Sequence, residues 1–152
     1  MSQWTHLAGI IRLDNLLRRI APGAPIAKDV IRILLEDAPG GSEGGCLFKF
    51  VEWPVTDSFE EKDHTNVYSA GVYWGDAIIS ADLRDVGNDD EEIESITQWF
   101  TGLAKKFWDA KLVMRQAVLE IDVEYKYNRV LQLVDQEEYT WIDTTTPKEA
   151  SD

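Results

Sequence analysis

The sequence predicts an α+β fold, a ferredoxin-like antiparallel sheet with two main helices on one face and an added β-hairpin. Three observations carry that expectation. Val113, Ala117, Leu119, Ile121 and Val123 fall on one face of a period-two pattern, with Gln116, Glu120 and Asp122 on the other, as in a half-buried strand. Just before it, Ile93, Ile96, Phe100, Leu103 and Phe107 recur at helical spacing with Trp99 beside them. The stretches alternate as strand, helix, strands, helix, strands, an order that right-handed connections close over one sheet.

In chain order, Thr5 to Leu13 alternates with hydrophobes on both faces, which predicts a central strand. His6 and Arg12 share its less apolar face, and Trp4 starts that row. Asp14 is placed to cap a short helical turn through Leu16, Leu17 and Ile20, ended by Ala21-Pro22-Gly23. Ile26, Val30, Ile33 and Leu34 then form the buried stripe of a first helix, with Lys28, Arg32 and Glu36 outward. Pro39 to Gly45 is a sharp, glycine-rich stop. Cys46 to Trp53 reads as a strand that Pro54 confines to an edge or ends.

Thr56 to Asn66 is an acidic loop with Asp57, Glu60, Glu61, Asp63 and His64, following Glu52. Val67–Trp74 and Ala77–Leu83 are two strands joined by a tight turn at Gly75-Asp76, or one long strand bulged at Gly75. Asp89 is the expected N-cap of the second helix, with Glu92 at its third position and Lys105, Lys106 and Lys111 near the far end, as the helix dipole favours. After Val123, Asn128 is expected to turn the chain into a last strand from Arg129 to Val134, with Tyr139–Ile142 as an optional continuation. Residues 1–143 are read as a single domain and 144–152 as a polar, flexible C-terminal tail.

A chain of 152 residues, 44% hydrophobic and 11% aromatic, suffices for one core. Its net charge of −13 argues against direct contact with nucleic acid or an anionic membrane, since either polyanion would repel it. The charge is uneven. Residues 1–35 carry five bases against two acids, so the remainder holds −16. Cys46 is the single cysteine, which excludes an intramolecular disulfide. The start lacks a charged region followed by an apolar run, and nothing approaches the roughly 18 apolar residues of a span, so a cytoplasmic protein is expected.

Five landmarks run through the chain in order: Trp4 to Asp14, Gly41-Ser42-Glu43-Gly44, Asp82-Leu83-Arg84-Asp85, Trp99-Phe100 and Arg115-Gln116-Ala117-Val118. In these the chain resembles a family of small, uncharacterised proteins encoded by bacteriophages. It departs from the family pattern at Ala81, where a glycine is expected, and in the length of Phe50–Ile79. The resemblance implies a phage accessory protein working in the cytoplasm of a host bacterium. It supplies no catalytic residues.

Arg115 falls on the apolar face of its strand, where a guanidinium needs a partner; Asp82 and Asp85 are the candidates, and a ligand-binding role is the competing reading. The glycine-rich turn can offer backbone amides to an anion, but it lacks the Lys-Ser/Thr of a P-loop and reads as a connector. His64 among its acids matches no zinc or EF-hand spacing, and Cys46 has no dyad partner by sequence logic. No catalytic residue, metal or cofactor is therefore expected.

Two function classes remain. The first is a non-catalytic acidic binding protein that docks onto or inhibits a host protein, such as a defence or nucleic-acid-binding factor, through Glu91, Glu92 and Glu94 with Trp4 and Trp74 as anchors. The alternative is binding or cleavage of a small phosphorylated molecule, such as a nucleotide signal, by Arg12, Arg84 and Arg115 with Gly41, Ser42 and Gly44. A homo-oligomer built through an open sheet face or edge is a third, plainer possibility.

Overall fold

A computed structural model of the chain describes residues 2–14, 26–52, 74–135 and 137–149. The expected turn at Leu16–Ile20, the acidic loop with His64 and residues 67–73 of the expected hairpin lie outside them. The class is α+β: strands β1 (Trp4–Asp14), β2 (Cys46–Glu52), β3 (Trp74–Arg84), β4 (Val113–Val123), β5 (Tyr127–Asp135) and β6 (Thr140–Pro147), with helices α1 (Ile26–Leu35) and α2 (Asp90–Asp109). The strands form one antiparallel sheet ordered β2-β3-β1-β4-β5-β6. β1 is central, as its two apolar faces predict, and β2 ends the order at one side.

Paired residues share a sheet face. Leu7, Ile11 and Leu13 of β1, Ala77, Ile79 and Leu83 of β3, and Leu119, Ile121 and Val123 of β4 are all buried. They join Val30, Ile33 and Leu34 of α1 and Ile93, Ile96, Phe100, Leu103 and Phe107 of α2 in one core cluster. Val30, Ile33 and Leu34 of α1 and all five residues of the α2 stripe are buried, as their spacing predicts.

The ends of α2 follow different rules. Asp89 caps the start, its side chain accepting from the Glu91 amide at 2.7 Å, and Asp90, Glu91 and Glu92 place negative charge in the first turn. At the far end Lys111 takes φ 62°, the Leu112 amide donates to the Phe107 carbonyl and the Lys111 amide to that of Trp108. This is a Schellman stop made without glycine, closed by contact of the buried Leu112 and Phe107 positions.

Four expectations need correction. Trp74, Gly75 and Asp76 pair without interruption with Asp14, Leu13 and Arg12, so Gly75-Asp76 is neither a hairpin turn nor a bulge. Gly75 serves packing, since a Cβ there would meet the Phe50 ring at 2.1 Å. Asn128 lies inside β5; the turn before it is Glu124–Lys126, with Tyr125 at φ 64°. Thr140–Pro147 is a separate strand antiparallel to β5, and so residues 144–147, placed in the C-terminal tail, pair with Tyr127–Val130. Arg115 is the extra residue of a β-bulge, because Arg12 pairs with Gln116 and Leu13 with Met114.

Candidate functional site

Several contacts gather at the end of the sheet where β1 begins. Thr5 Oγ1 donates to the Val86 carbonyl at 2.6 Å, the Asp85 amide to the Gln3 carbonyl, and Lys126 Nζ to the carbonyls of Gly87 and Asn88. These bonds bring Trp4, the loop before α2, the acidic start of α2 and the β4–β5 turn to one end of the molecule. Asp89, Asp90, Glu91 and Glu94 are exposed and Glu92 is half-buried. Glu91 and Glu92 have no ion-pair partner among the described residues, whereas Glu94 holds Arg129 at 3.2 Å. Tyr125, at the tip of the turn, is 77% exposed in a left-handed conformation that costs an L-residue on the order of 1 kcal/mol.

Arg129 is a hub that the sequence did not reveal. Its Nε and Nη2 grip both carboxylate oxygens of Asp143, at 2.8 and 2.5 Å, and its Nη1 reaches Glu94. The fork raises the Arg129 pKa, chiefly through the Asp143 hydrogen bond, and holds the Asp143 carboxyl below its ordinary value. β5, β6 and α2 are tied together there.

Of the expected partner contacts, Trp4 and the three glutamates share this end, while Trp74 does not. Its backbone pairs with Asp14, ten residues along β1 from Trp4, or on the order of 33 Å at strand rise.

The arginines of the phosphate reading are dispersed. Arg84 meets the glycine-rich turn as proposed: Ser42 donates through its amide and hydroxyl to the Arg84 carbonyl, and the Arg84 amide returns a bond to the Glu43 carbonyl. Yet Arg84 Nη1 lies 2.7 Å from Glu43, which raises its pKa, and Nε donates to Ser2. Gly41 and Gly44 are there for close approach: a Cβ at Gly44 would sit 2.0 Å from the Asp82 carbonyl oxygen. Arg12 lies at the other end of the sheet, paired with Asp76 at 3.1 Å and donating to Gln116. Arg115 sits near that end, its Nε and Nη2 at 3.1 and 3.0 Å from the buried Asp14. Its partner is thus Asp14 rather than Asp82 or Asp85, because the bulge turns it away from its neighbours' alternation.

The face of the sheet opposite the core holds a second constellation. His6 Nδ1 is 2.6 Å from Asp82 and Nε2 is 3.1 Å from Glu124, and the Asp82 hydrogen bond, then that of Glu124, raises the imidazole pKa. Both ring nitrogens are engaged by carboxylates, an arrangement that favours a proton on the ring. Cys46 is half-buried, donates to the Pro39 carbonyl, and burial pushes its thiol up to about 11, the reverse of what a nucleophile needs. Among the described residues no group of three His, Cys, Asp or Glu side chains is arranged to hold a metal ion. No helix of the described residues is long and apolar enough to cross a membrane. No family model, curated protein or solved structure matches this chain.

Proposed function

We propose that the protein is a non-catalytic acidic binder that docks the α2 end of the molecule onto a basic surface of a host protein, as a phage accessory factor in the host cytoplasm. The observation that carries this reading is the company kept by Glu91 and Glu92. They are charged, without an ion-pair partner among the described residues, and at the same end as Trp4 and the outstretched Tyr125. Unpaired acids steer association with a basic partner, and rigid aromatics supply contact area once it has arrived. The dispersal of Arg12, Arg84 and Arg115, each already on a carboxylate, speaks against a phosphate pocket. We also read the strand order β2-β3-β1-β4 as a ferredoxin-like arrangement with its helices on one face, extended by β5 and β6.

The test is capture of host protein from bacterial lysate at low salt by the wild-type chain and by Glu91→Gln/Glu92→Gln/Glu94→Gln. Glutamine is chosen over lysine so that no positive charge is placed at the positive end of the α2 dipole, where Asp89 and Asp90 remain. A basic protein retained by the wild type and released by the variant, with unchanged circular dichroism, is the expected result. Equal retention by both, or no specific capture, would overturn the proposal.

A further inference from the structure

A second surface lies on the face of the sheet away from the core. Register places Ile78, Ile10, Val118, Gln132 and Ile142 in one row crossing five strands. Leu47 and Val130 stand in the next row. Ile10 is 40%, Ile78 41%, Ile142 52% and Leu47 72% exposed. A stripe of aliphatic side chains across an open sheet is an unfinished layer, since scattered single hydrophobes are ordinary but aligned ones are not.

Most of the charges flanking the stripe are offset by a neighbour. Arg12 lies on Asp76, Lys148 on Asp122, and His6 between Asp82 and Glu124. Lys49 and Glu120 offset each other in sign within these rows. With His6 neutral these groups are three bases against five acids, or −2, so a chain carrying −13 overall holds most of its excess acid elsewhere. A basic partner would find less attraction here than at the α2 end. A second acidic copy would meet its least repulsion here.

We infer that the open sheet face is a homodimer interface, in which the aliphatic stripe of one chain packs on that of a second copy. Six strands at about 4.8 Å, each running some eight residues at about 3.3 Å, give a footprint on the order of 750 Å², close to the roughly 800 Å² per partner of a standard stable interface. A two-fold axis in the plane of the face, along the stripe or across its middle, lays stripe on stripe, so self-complementarity requires no further shape. The two sheets then pack as the halves of a sandwich, at the spacing and modest angle that sheet twist sets.

Sedimentation equilibrium and light scattering of the whole chain across the micromolar range test this. Twice the mass of the chain is expected. Ile10→Glu is expected to raise the dimer dissociation constant at least on the order of 100-fold, because a symmetric interface buries each introduced charge twice. Leu47→Glu, at a more exposed position, is the control should Ile10→Glu disturb folding; it is expected to weaken the dimer as well. Raising salt from about 0.05 to 0.5 M is expected to tighten the dimer, since screening relieves repulsion between the acidic remainders. A monomer at every concentration, or a dimer indifferent to both substitutions, would overturn the inference. The glutamine triple variant of α2 leaves the dimer intact in either case, so this outcome and that of host docking are read separately.

Discussion

Arg115→Met isolates the ion pair at the β-bulge. Asp14 has only 2% of its side chain exposed, and two nitrogens of Arg115 lie 3.0 and 3.1 Å from its Oδ2. The Arg115 side chain is 34% exposed, so the two partners stand in different media. Removing one member of a fully buried pair costs about 3–5 kcal/mol. Water can approach the site from the arginine side, which brings the expected loss to about 2–3 kcal/mol. For a chain of this size that lowers the melting temperature by about 5–10 °C. Asp14→Asn should cost less, since the Arg115 side chain has access to water while the Asp14 carboxylate does not. The double variant should lose less than the sum, with a coupling on the order of 1 kcal/mol or more. Thermal melts followed by circular dichroism give all four corners of the cycle. A shift below about 1 °C for Arg115→Met would refute a structural role and return the arginine to the ligand-binding reading.

Lys111→Gly should raise stability by about 0.5–1 kcal/mol, because Lys111 occupies a left-handed stop at φ 62° that glycine enters without strain; an unchanged or lower urea midpoint contradicts the Schellman assignment. Gly75→Ala should cost about 1–3 kcal/mol, since the added methyl falls 2.1 Å from the Phe50 ring, and a neutral effect in the same titration would show that the ring moves freely. His6 has a raised pKa in the folded state, so its stabilising contribution is complete below about pH 6.5 and is lost as pH rises through the folded value. With the ring 37% exposed, the effect is on the order of 0.2–1 kcal/mol. Wild type should therefore exceed His6→Gln in stability at about pH 6 and converge on it at about pH 9, and a gap that widens with pH would reject the assignment.

What the sequence disclosed follows from where physics is local. β4 runs over Val113–Val123, where alternation places it, and the buried face of α2 is the one its spacing marks, because each pattern is written in a single stretch of chain. Asp89 was readable as a cap for the same reason. The errors lie where a residue's role depends on a distant partner. Gly75 looks like a turn until Phe50 is seen over it, and Arg115 looks misplaced in a strand until the bulge against Arg12 and Leu13 is known. The stop after α2 was hidden because Lys111, not glycine, adopts the left-handed turn. At the candidate site, Glu91, Glu92 and Glu94 were visible as a charged helix start. The Arg129 fork and the His6 bridge were not, since their members come from three elements each.

The two surfaces divide the molecule by charge rather than by fold. At the α2 end, Glu91 and Glu92 stand without an ion-pair partner among the described residues beside the exposed Tyr125; on the open sheet face, Arg12 and Lys148 each hold an acid and the exposed large hydrophobes are aliphatic. Coulomb attraction to a basic partner weakens as salt rises, whereas association of two like-charged chains through a patch of small net charge strengthens. Both surfaces draw on the same −13 with opposite sign. A dimer formed through the sheet would leave both α2 ends uncovered and would double the acidic surface offered to a basic partner. Self-association and host capture then reinforce each other through avidity, in proportion to how far the partner's basic sites match the spacing of the two ends.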